Sequence, residues 1–416
     1  MATLTVNSAR SRGSRTAGGI RSVFVRNYKS IAQSAVKLEP FTVLVGANGA
    51  GKSNFIDALS FVRDCLADSV ELAFRNRGGI GAVRRRSGGH PTHIGIRLQI
   101  ELSGASYADY SFEISAKPPE KFSIARESCS VGHGLGETQS FEVRSGTFVR
   151  EIAGIRPRMA TDRLALFAAS ATEEFRPVYD FLTSMRFYSI VPVRLREVQE
   201  PDAGEYLRRD GSNAAAVLKR LLDDSQQSDR YDRICRLLAR IVPGVASVGY
   251  MPVGQMETLE FKQDVGRKHP WSFQALSMSD GTLRALGVLL AVYQPGYSSV
   301  VGIEEPEATV HPAVTEVLTQ VMMDAALERQ ILLTTHSPDI LDYKELEDTA
   351  IRVVTSDRGK TEISMLADPS RDAIRKVLYT PGELLRADEL NPDIQAARRY
   401  AEQMSLFGPD SPAAGG

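Results

Sequence analysis

The segment GANGAGKS at residues 46–53 carries the strongest chemical signal in the sequence. It follows an apolar run, FTVLV, and directly precedes a segment with helical spacing of apolar residues, which is the context that the GxxxxGK[ST] pattern requires. Its glycines let successive backbone N–H groups point inward around a phosphate, and the N-terminus of the following helix favours an anion. We therefore expect a nucleoside triphosphate site formed by Asn48, Gly49, Ala50, Gly51, Lys52, Ser53 and Asn54.

Two side chains of this loop have expected chemical roles. Lys52, as a cation, would bridge the β- and γ-phosphate oxygens, and the Ser53 hydroxyl would bind Mg²⁺. An incidental glycine-rich turn is the alternative interpretation, but the flanking apolar run and helical pattern disfavour it.

Two carboxylates end a second apolar run, VVGIEEPE at 300–307. In proteins with such a phosphate-binding loop, a carboxylate at this strand end holds Mg²⁺ through water, and the next can polarise the attacking water. We assign Glu304 to the metal and Glu305 to catalysis. Glutamate stands here where aspartate is common, and the extra methylene leaves the exact metal geometry open. The alternative interpretation is a solvated cluster of charges at the end of a strand.

Two further segments could complete such a site. In LSMSDGTLRALGVLL at 276–290, Ser279 is placed to cap the helix that follows, with Gly281 in its first turn. In ILLTTHSPDIL at 331–341, His336 follows an apolar run and could contact the γ-phosphate or the attacking water. The alternatives are that Ser279 is only a cap and that His336 is structural.

The order of the predicted elements indicates an α/β protein. Two strands are expected within 20–45, and alternating segments at 94–103, 108–115, 121–131 and 139–150 predict an antiparallel β lobe. From 276 onward, helices and strands alternate as in a doubly wound sheet. The expected divisions are a basic disordered tail at 1–20, the first half of a nucleotide-binding head at 21–159, a helical insert at 160–242, the second half of the head at 243–404 and a disordered tail at 405–416.

The chain has 416 residues and a formal net charge of −1, so a nucleic-acid surface requires local charge asymmetry. Three cysteines that lie far apart exclude a disulfide framework and a cysteine zinc site. No apolar run of about 18 residues occurs, so we expect no membrane-spanning helix and a cytoplasmic protein.

One stretch, residues 72–100, contains several arginines and no acidic residue. Such a cluster predicts salt-dependent contacts to the phosphates of the DNA backbone. A solvated loop is the alternative interpretation. The candidate DNA contacts are Arg75, Arg77, Arg84, Arg85 and Arg86.

Together, and in this order, these segments resemble the ABC-type ATPase heads of the SMC/RecF/OLD group. The resemblance is closest to the compact AAA-family ATPases of the OLD/RecF-like type that are common in bacterial anti-phage defence loci. It extends through VFVRNYKSI at 23–31, FTVLVGANGAGKSNFIDAL, DGSNAAAVLKRL at 210–221, LSMSDGTLR, IEEPEATVHP and TTHSPDIL. It implies a P-loop NTPase fold with an ABC-ATPase-like head, in which a mixed, doubly wound sheet is joined by an antiparallel β lobe, and it implies hydrolysis of ATP with Mg²⁺.

The resemblance also assigns roles to residues. MSDGT corresponds to the signature motif of ABC-type ATPases, so Ser279 and Gly281 are expected to contact the γ-phosphate of ATP held by the opposite subunit of a homodimer. The D-loop corresponds to Pro306–Val310 and the switch histidine to His336. Gln199 is a weak counterpart of the Q-loop glutamine.

Two features depart from the family. The long coiled coil of SMC proteins is absent, and the insert at 160–242 stands in its place. OLD-type proteins often carry a C-terminal Toprim nuclease, but no DxD pair follows His336. We therefore expect no nuclease site in this chain and a separately encoded effector, Toprim-like or another nuclease. The adenine contact stays open, with Tyr28 and Lys29 as guesses from their position.

The expected function is that of an ATPase which dimerises around ATP and gates a DNA-associated partner or effector in an anti-phage defence system. Two alternatives share these motifs. One is a nucleotide-gated assembly scaffold with negligible turnover, and the other is a RecF-like ATPase of DNA repair or recombination.

Overall fold

The computed structural model describes residues 18–86, 93–117, 121–134, 138–150, 160–266 and 270–407, so most of the two expected tails lies outside the described residues. Its strands are β1 (Gly19–Tyr28), β2 (Ile31–Lys37), β3 (Phe41–Val45), β4 (His93–Glu101), β5 (Ser106–Lys117), β6 (Lys121–His133), β7 (Gln139–Arg144), β8 (Thr147–Arg150), β9 (Arg186–Tyr188), β10 (Val245–Val253), β11 (Met256–Gln263), β12 (Trp271–Gln274), β13 (Val300–Glu304), β14 (Gln330–Thr335), β15 (Ile351–Asp357) and β16 (Lys360–Ser364). Its α-helices are α1 (Lys52–Ala67), α2 (Val70–Arg75), α3 (Ile80–Val83), α4 (Ala165–Ala169), α5 (Arg176–Thr183), α6 (Pro192–Arg196), α7 (Ala214–Asp223), α8 (Ser228–Ile241), α9 (Asp280–Tyr293), α10 (Pro312–Ala325), α11 (Pro338–Leu341), α12 (Asp368–Arg375), α13 (Pro381–Arg386) and α14 (Ile394–Gln403).

Six strands form the central sheet, in the order β16-β15-β3-β14-β13-β9. The strands from β15 to β9 are parallel, and β16 pairs antiparallel with β15 at one edge. Every residue of β3 and β14 is buried, as in a parallel sheet whose two faces are both covered. The predicted alternation of helix and strand after residue 276 is confirmed, and β14 lies between β3 and β13.

A second sheet of seven antiparallel strands, in the order β2-β1-β4-β5-β6-β7-β8, confirms the predicted β lobe. It also includes β1 and β2, which precede the phosphate-binding loop. Helix α1 packs in a hydrophobic core with residues of this sheet and of the central sheet. The ring contact between Phe61 of α1 and Phe112 of β5, with centroids 6.5 Å apart, belongs to this core.

The segment 160–242 does not form a separate helical arm, and the prediction of an insert is wrong in this respect. Strand β9 within it pairs with β13 in the central sheet. The apolar faces of α7 and α8 pack with α9 and α10 in a second core, where Leu218 and Leu238 are 0% exposed. The longest helix of the described residues is α1, with 16 residues. None of the described helices has both the length and the apolar character needed to cross a membrane.

Candidate functional site

Three neighbouring strands carry the predicted site residues at their carboxyl ends. In the register of the central sheet, Leu44 of β3 lies beside Thr334 of β14, which lies beside Glu304 of β13. The three strands therefore end at the same level. The phosphate-binding loop, His336 and Glu305 follow these ends and lie at one edge of the sheet.

The phosphate-binding loop turns sharply between β3 and α1. Gly51 has a φ of +107°, and a Cβ at this position would lie 2.0 Å from Oγ1 of Thr361, so only glycine fits. Lys52 donates from Nζ to the carbonyl oxygens of Gly46 at 2.7 Å and Ala47 at 3.1 Å. These bonds hold the ammonium group beside the loop, where a phosphate oxygen could accept from it.

Hydrogen bonds from β16 and from the turn between β1 and β2 support this loop. Thr361 donates from Oγ1 to the carbonyl oxygen of Ala50 at 2.9 Å, and the hydroxyl groups of Thr361 and Ser30 are 2.7 Å apart. Asn54 donates from its amide to the Ser30 hydroxyl at 2.6 Å. The Asn54 side chain thus braces the loop, whereas Ser53, in the first turn of α1, is exposed and open to a ligand.

Charged groups converge on the lysine of the loop. Burial lowers the pKa of Lys52, and the carboxylates of Glu305 and Glu307 oppose this effect. Asn48 and Gly49 form the exposed tip of the same loop. The loop and the carboxylates after β13 therefore belong to one electrostatic environment.

The two predicted catalytic side chains lie next to each other. Oε1 of Glu305 is 3.5 Å from Nδ1 of His336, and these side chains are 38% and 45% exposed. Glu305 has a φ of +45°, a strained backbone conformation for a residue with a side chain, and such strain clusters at functional sites. Its backbone N–H donates to the carbonyl oxygen of Thr334 at 3.0 Å. The site thus presents a carboxylate and an imidazole together to solvent.

Glu304, the predicted metal ligand, forms an ion pair with a residue that the sequence analysis missed. Its Oε1 lies 2.8 Å from Nη2 of Arg209, and its side chain is 11% exposed. Backbone hydrogen bonds from Ser189 to Arg209 and from Val191 to Asp210 attach this segment to the end of β9. A metal ion on Glu304 would compete with the guanidinium group for the same oxygens. Ser53 and Glu304 are the predicted residues that could hold it.

Glu307 is a buried member of this site, although the sequence indicated only a loop at this position. It is 8% exposed, and Thr335 donates from Oγ1 to its Oε1 at 2.6 Å. Its Oε2 is buried without a hydrogen-bond partner. Burial raises the pKa of the Glu307 carboxyl group, and the bond from Thr335 opposes this rise. The signal in the sequence is the third carboxylate of the segment EEPE.

The start of α9 is packed against the loop that follows Glu305. Ser279 caps the helix, because its Oγ accepts a hydrogen bond of 3.2 Å from the backbone N–H three residues later in the chain. Ser279 is exposed. A Cβ on Gly281 would lie 2.8 Å from the carbonyl oxygen of Thr309. One turn later, Arg284 donates to the carbonyl oxygen of Glu305 at 3.4 Å. The predicted cap is confirmed, and its serine faces solvent.

Three weaker assignments do not fit the structure. Gln199 is 4% exposed. Its amide donates to one backbone carbonyl at 3.2 Å and accepts from one backbone N–H at 2.9 Å, so the side chain joins two backbone segments inside the protein. Tyr28 is 0% exposed and donates to Oδ2 of Asp57 at 2.7 Å. Lys29 pairs with the same oxygen at 2.6 Å. These contacts leave the adenine contact unassigned.

The structure divides the predicted DNA-contact cluster. Arg77 has a side chain that is 8% exposed, and it pairs with Asp57 at 3.0 Å and Asp64 at 2.8 Å. Arg85 is 7% exposed and donates to two backbone carbonyls at 2.5 and 3.1 Å. Both arginines are tied to the protein, so the prediction that they contact DNA is wrong. Of the others, Arg75 and Arg86 are exposed and Arg84 is half-buried.

The sequence is similar to two kinds of known protein. Residues 41–342 match the family model described as "AAA domain, putative AbiEii toxin, Type IV TA system". Over 129 residues the chain is 28% identical to Structural maintenance of chromosomes protein 1 of Schizosaccharomyces pombe, in an alignment that covers 28% of this chain and 10% of that protein. The chain therefore spans only a small part of the length of this relative.

The fold is similar to those of solved SMC heads. A structure of the SMC head bound to the C-terminal winged-helix domain of ScpA gives a TM-score of 0.52 at 13% identity, covering 86% of this chain and 99% of that one. The SMC head of Pyrococcus furiosus with an extended coiled coil, bound to the C-terminal domain of ScpA, gives 0.52 at 12% identity, covering 87% and 100%. At this identity the likeness shows a shared fold.

Proposed function

The chain belongs to the AAA-domain family described as "putative AbiEii toxin, Type IV TA system", and from this premise we propose that it is an ATPase that closes into a homodimer around ATP. The fold that it shares with SMC heads supports this proposal. The observation that carries it is the contact of 3.5 Å between Glu305 and His336 at the sheet edge where the phosphate-binding loop begins.

The residues of this edge fit the parts of a phosphoryl-transfer site. Lys52 would release the carbonyls of Gly46 and Ala47 and donate to the phosphates of ATP. Ser53 and Glu304 would hold Mg²⁺, which when bound offsets the negative charge of the phosphates. The pair between Glu304 and Arg209 would have to open for Glu304 to hold the metal.

Glu305 would activate water for hydrolysis. Its exposed carboxylate accepts a proton from a water molecule, the water oxygen attacks the γ-phosphorus, and the bond to the oxygen bridging to the β-phosphate breaks. His336, 3.5 Å away, would orient Glu305 or donate to a γ-phosphate oxygen. The hydrogen bond from the backbone N–H of Glu305 to the carbonyl oxygen of Thr334 fixes the position from which this side chain extends.

A second subunit would complete the site. Ser279 and the start of α9 are exposed, and a helix N-terminus with a serine hydroxyl is suited to bind the γ-phosphate. We place Ser279 and Gly281 of one subunit against the nucleotide of the other. ATP would then favour the closed dimer, and hydrolysis would favour its opening.

This cycle would produce a conformational change that activates a separately encoded effector, a Toprim-like or other nuclease, in anti-phage defence. The family description, which names a toxin of a type IV TA system, supports a role in defence over a role in repair. Arg75 and Arg86, exposed on the surface of the head, would give the assembly contacts to the DNA backbone.

Steady-state ATP turnover tests the enzymatic part of this proposal. Glu305→Gln should lower kcat by about 10²–10⁴-fold while ATP binding is retained, since the amide cannot accept the proton. Glu316→Gln makes the same change at an exposed position of α10 and should hydrolyse ATP like the wild type. Equal turnover in Glu305→Gln and wild type would contradict the proposal, and negligible turnover in both with ATP-dependent assembly would favour a nucleotide-gated scaffold.

A further inference from the structure

A cavity of about 270 Å³ lies between β2, the β15–β16 hairpin and α14. None of the residues that line it belongs to the phosphate-binding loop. Its wall combines apolar side chains and backbone with several basic groups. The lining residues that matter here are Lys37, Arg352, Ile363, Arg371, Asp393 and Ala397.

Arg352 is a fully buried cation whose guanidinium group is incompletely used. It is 1% exposed. Its Nε donates to the carbonyl oxygen of Lys37 at 2.7 Å, and its Nη1 donates to those of Thr349 at 2.6 Å and Ile351 at 3.0 Å. Its Nη2 is buried without a hydrogen-bond partner. Both N–H groups on Nη2 therefore lack an acceptor among the described residues.

The charge of Arg352 also lacks a paired anion. The ion pairs of the described residues do not include it. Asp393, the acidic residue of the lining, caps α14 by accepting the N–H of Ala396 at 2.9 Å, and Arg371 is paired with Asp348 at 2.9 Å. Burial lowers the pKa of Arg352 to about 10, and nearby Arg371 strengthens this effect while Glu39 opposes it. The group thus remains a cation at neutral pH.

A buried cation with an unused donor is costly, and no carboxylate of the described residues forms an ion pair with it. The cost is removed when an external anion takes the missing place, as charge-assisted hydrogen bonds to a guanidinium group are among the strongest in proteins. We propose that this cavity binds a small organic carboxylate, with its head group on Nη2 of Arg352 and its apolar body against Ile363 and Ala397. The proposal is independent of the ATPase function.

The position of Arg352 suggests what such a ligand would influence. Two residues further along β15, the carbonyl oxygen of Val354 would lie 2.0 Å from a Cβ on Gly46, at the start of the phosphate-binding loop. Strand β15 therefore connects the cavity with the loop through a close backbone contact. A carboxylate on Arg352 acts on a strand that abuts the nucleotide site.

Isothermal titration of the full chain with benzoate tests the site, with benzyl alcohol as the uncharged probe of similar shape and with ionic strength held constant. We expect saturable binding of one benzoate per chain and no saturable binding of benzyl alcohol. Arg352→Met should weaken benzoate binding by about tenfold or more, because a hydrogen bond between charged groups is lost. Lys52→Ala should leave it unchanged.

A second variant covers the case in which Arg352→Met does not fold. Ala397→Leu, on the surface helix α14, leaves Arg352 intact and fills the cavity, so it should abolish benzoate binding. Gln395→Leu adds a leucine to an exposed position of the same helix and should bind benzoate like the wild type. The proposal is overturned if wild-type protein does not bind benzoate, if it binds benzyl alcohol equally well, or if Ala397→Leu retains the affinity.

Discussion

Thr335, the last residue of the strand that precedes His336, donates a hydrogen bond of 2.6 Å to Glu307 in the loop that follows Glu305. This bond ties the end of β14 to the loop that follows β13, next to the two exposed groups of the site. It also provides a partner for a carboxylate that is 8% exposed and whose second oxygen has none. The geometry of Glu305 and His336 therefore depends on a buried pair behind them.

Replacing Thr335 by valine should remove this partner without changing the shape of the side chain. A buried carboxyl oxygen left unsatisfied costs about 1–3 kcal/mol, and we expect the free energy of unfolding in urea to fall by this amount. Thr319→Val is a matched control, since Thr319 is also 0% exposed but donates only to a helix carbonyl, that of Thr315, at 2.8 Å. A loss in Thr335→Val no larger than in Thr319→Val would contradict the role of the pair.

The arginines of the stretch 72–100 should separate into structural and DNA-contacting residues. Arg77→Ala leaves the carboxylates of Asp57 and Asp64 without this partner and should lower the free energy of unfolding by about 3–5 kcal/mol, as for a broken buried ion pair. Arg86→Ala, at an exposed position, should leave stability nearly unchanged. Urea unfolding monitored by circular dichroism measures both, and equal stability of the two variants would show that Arg77 has no structural role.

DNA binding itself is tested on the exposed arginines. The double variant Arg75→Ala/Arg86→Ala should weaken binding of duplex DNA regardless of its sequence, and it should reduce the slope of log affinity against log salt by about 2. Fluorescence anisotropy over a series of salt concentrations provides both values. An unchanged slope would place any DNA contact elsewhere on the protein.

The site could be predicted from the sequence where a motif and its flanking pattern agree. The phosphate-binding loop, Glu305 and His336 each follow a short apolar run, and parallel strands that end together must bring such residues to one edge. Helix α9 follows from its capping serine and its apolar run, and the structure begins that helix at Asp280, directly after the cap.

Pairing between distant residues could not be predicted in the same way. Arg77 belongs to a stretch without acidic residues, but its partner Asp57 lies on α1, and only the packed helices bring the two together. Strand β9 has only three residues, too few to show an alternating pattern, so its place in the central sheet was hidden within a helical segment. The ion pair between Arg209 and Glu304 was equally hidden, because it depends on a segment that is attached to the end of β9.

A buried carboxyl group in the β lobe should make the stability of the protein depend on pH. Glu127 is 0% exposed and accepts hydrogen bonds from the N–H of Leu166 at 2.8 Å and the hydroxyl of Tyr110 at 3.0 Å. Burial raises the pKa of Glu127 to about 7. The ordinary pKa of a glutamate is about 4.3. At pH values between about 4.3 and about 7, the folded chain therefore keeps a proton on Glu127 that the unfolded chain has released.

The free energy of unfolding should therefore fall as the pH rises through this window, with a contribution from Glu127 of about 3–4 kcal/mol. Glu127→Gln cannot titrate and should flatten this part of the pH profile, whereas Glu316→Gln, at an exposed position, should keep it. Thermal unfolding at a series of pH values measures the effect. A profile of Glu127→Gln that parallels the wild type between about pH 5 and pH 7 would contradict it.

An ATP site completed by a second subunit is tested most directly by the mass of Glu305→Gln in solution. Light scattering measures this mass without nucleotide and with Mg-ATP. Because this variant should bind ATP without hydrolysing it, ATP should raise the mass from one chain to two. Adding Ser279→Arg should abolish the increase, whereas Ser225→Arg, at an exposed position of the turn before α8, should leave it intact. An ATP-dependent doubling that persists with Ser279→Arg, or a mass that ATP does not change, would contradict a dimer closed around ATP by the start of α9.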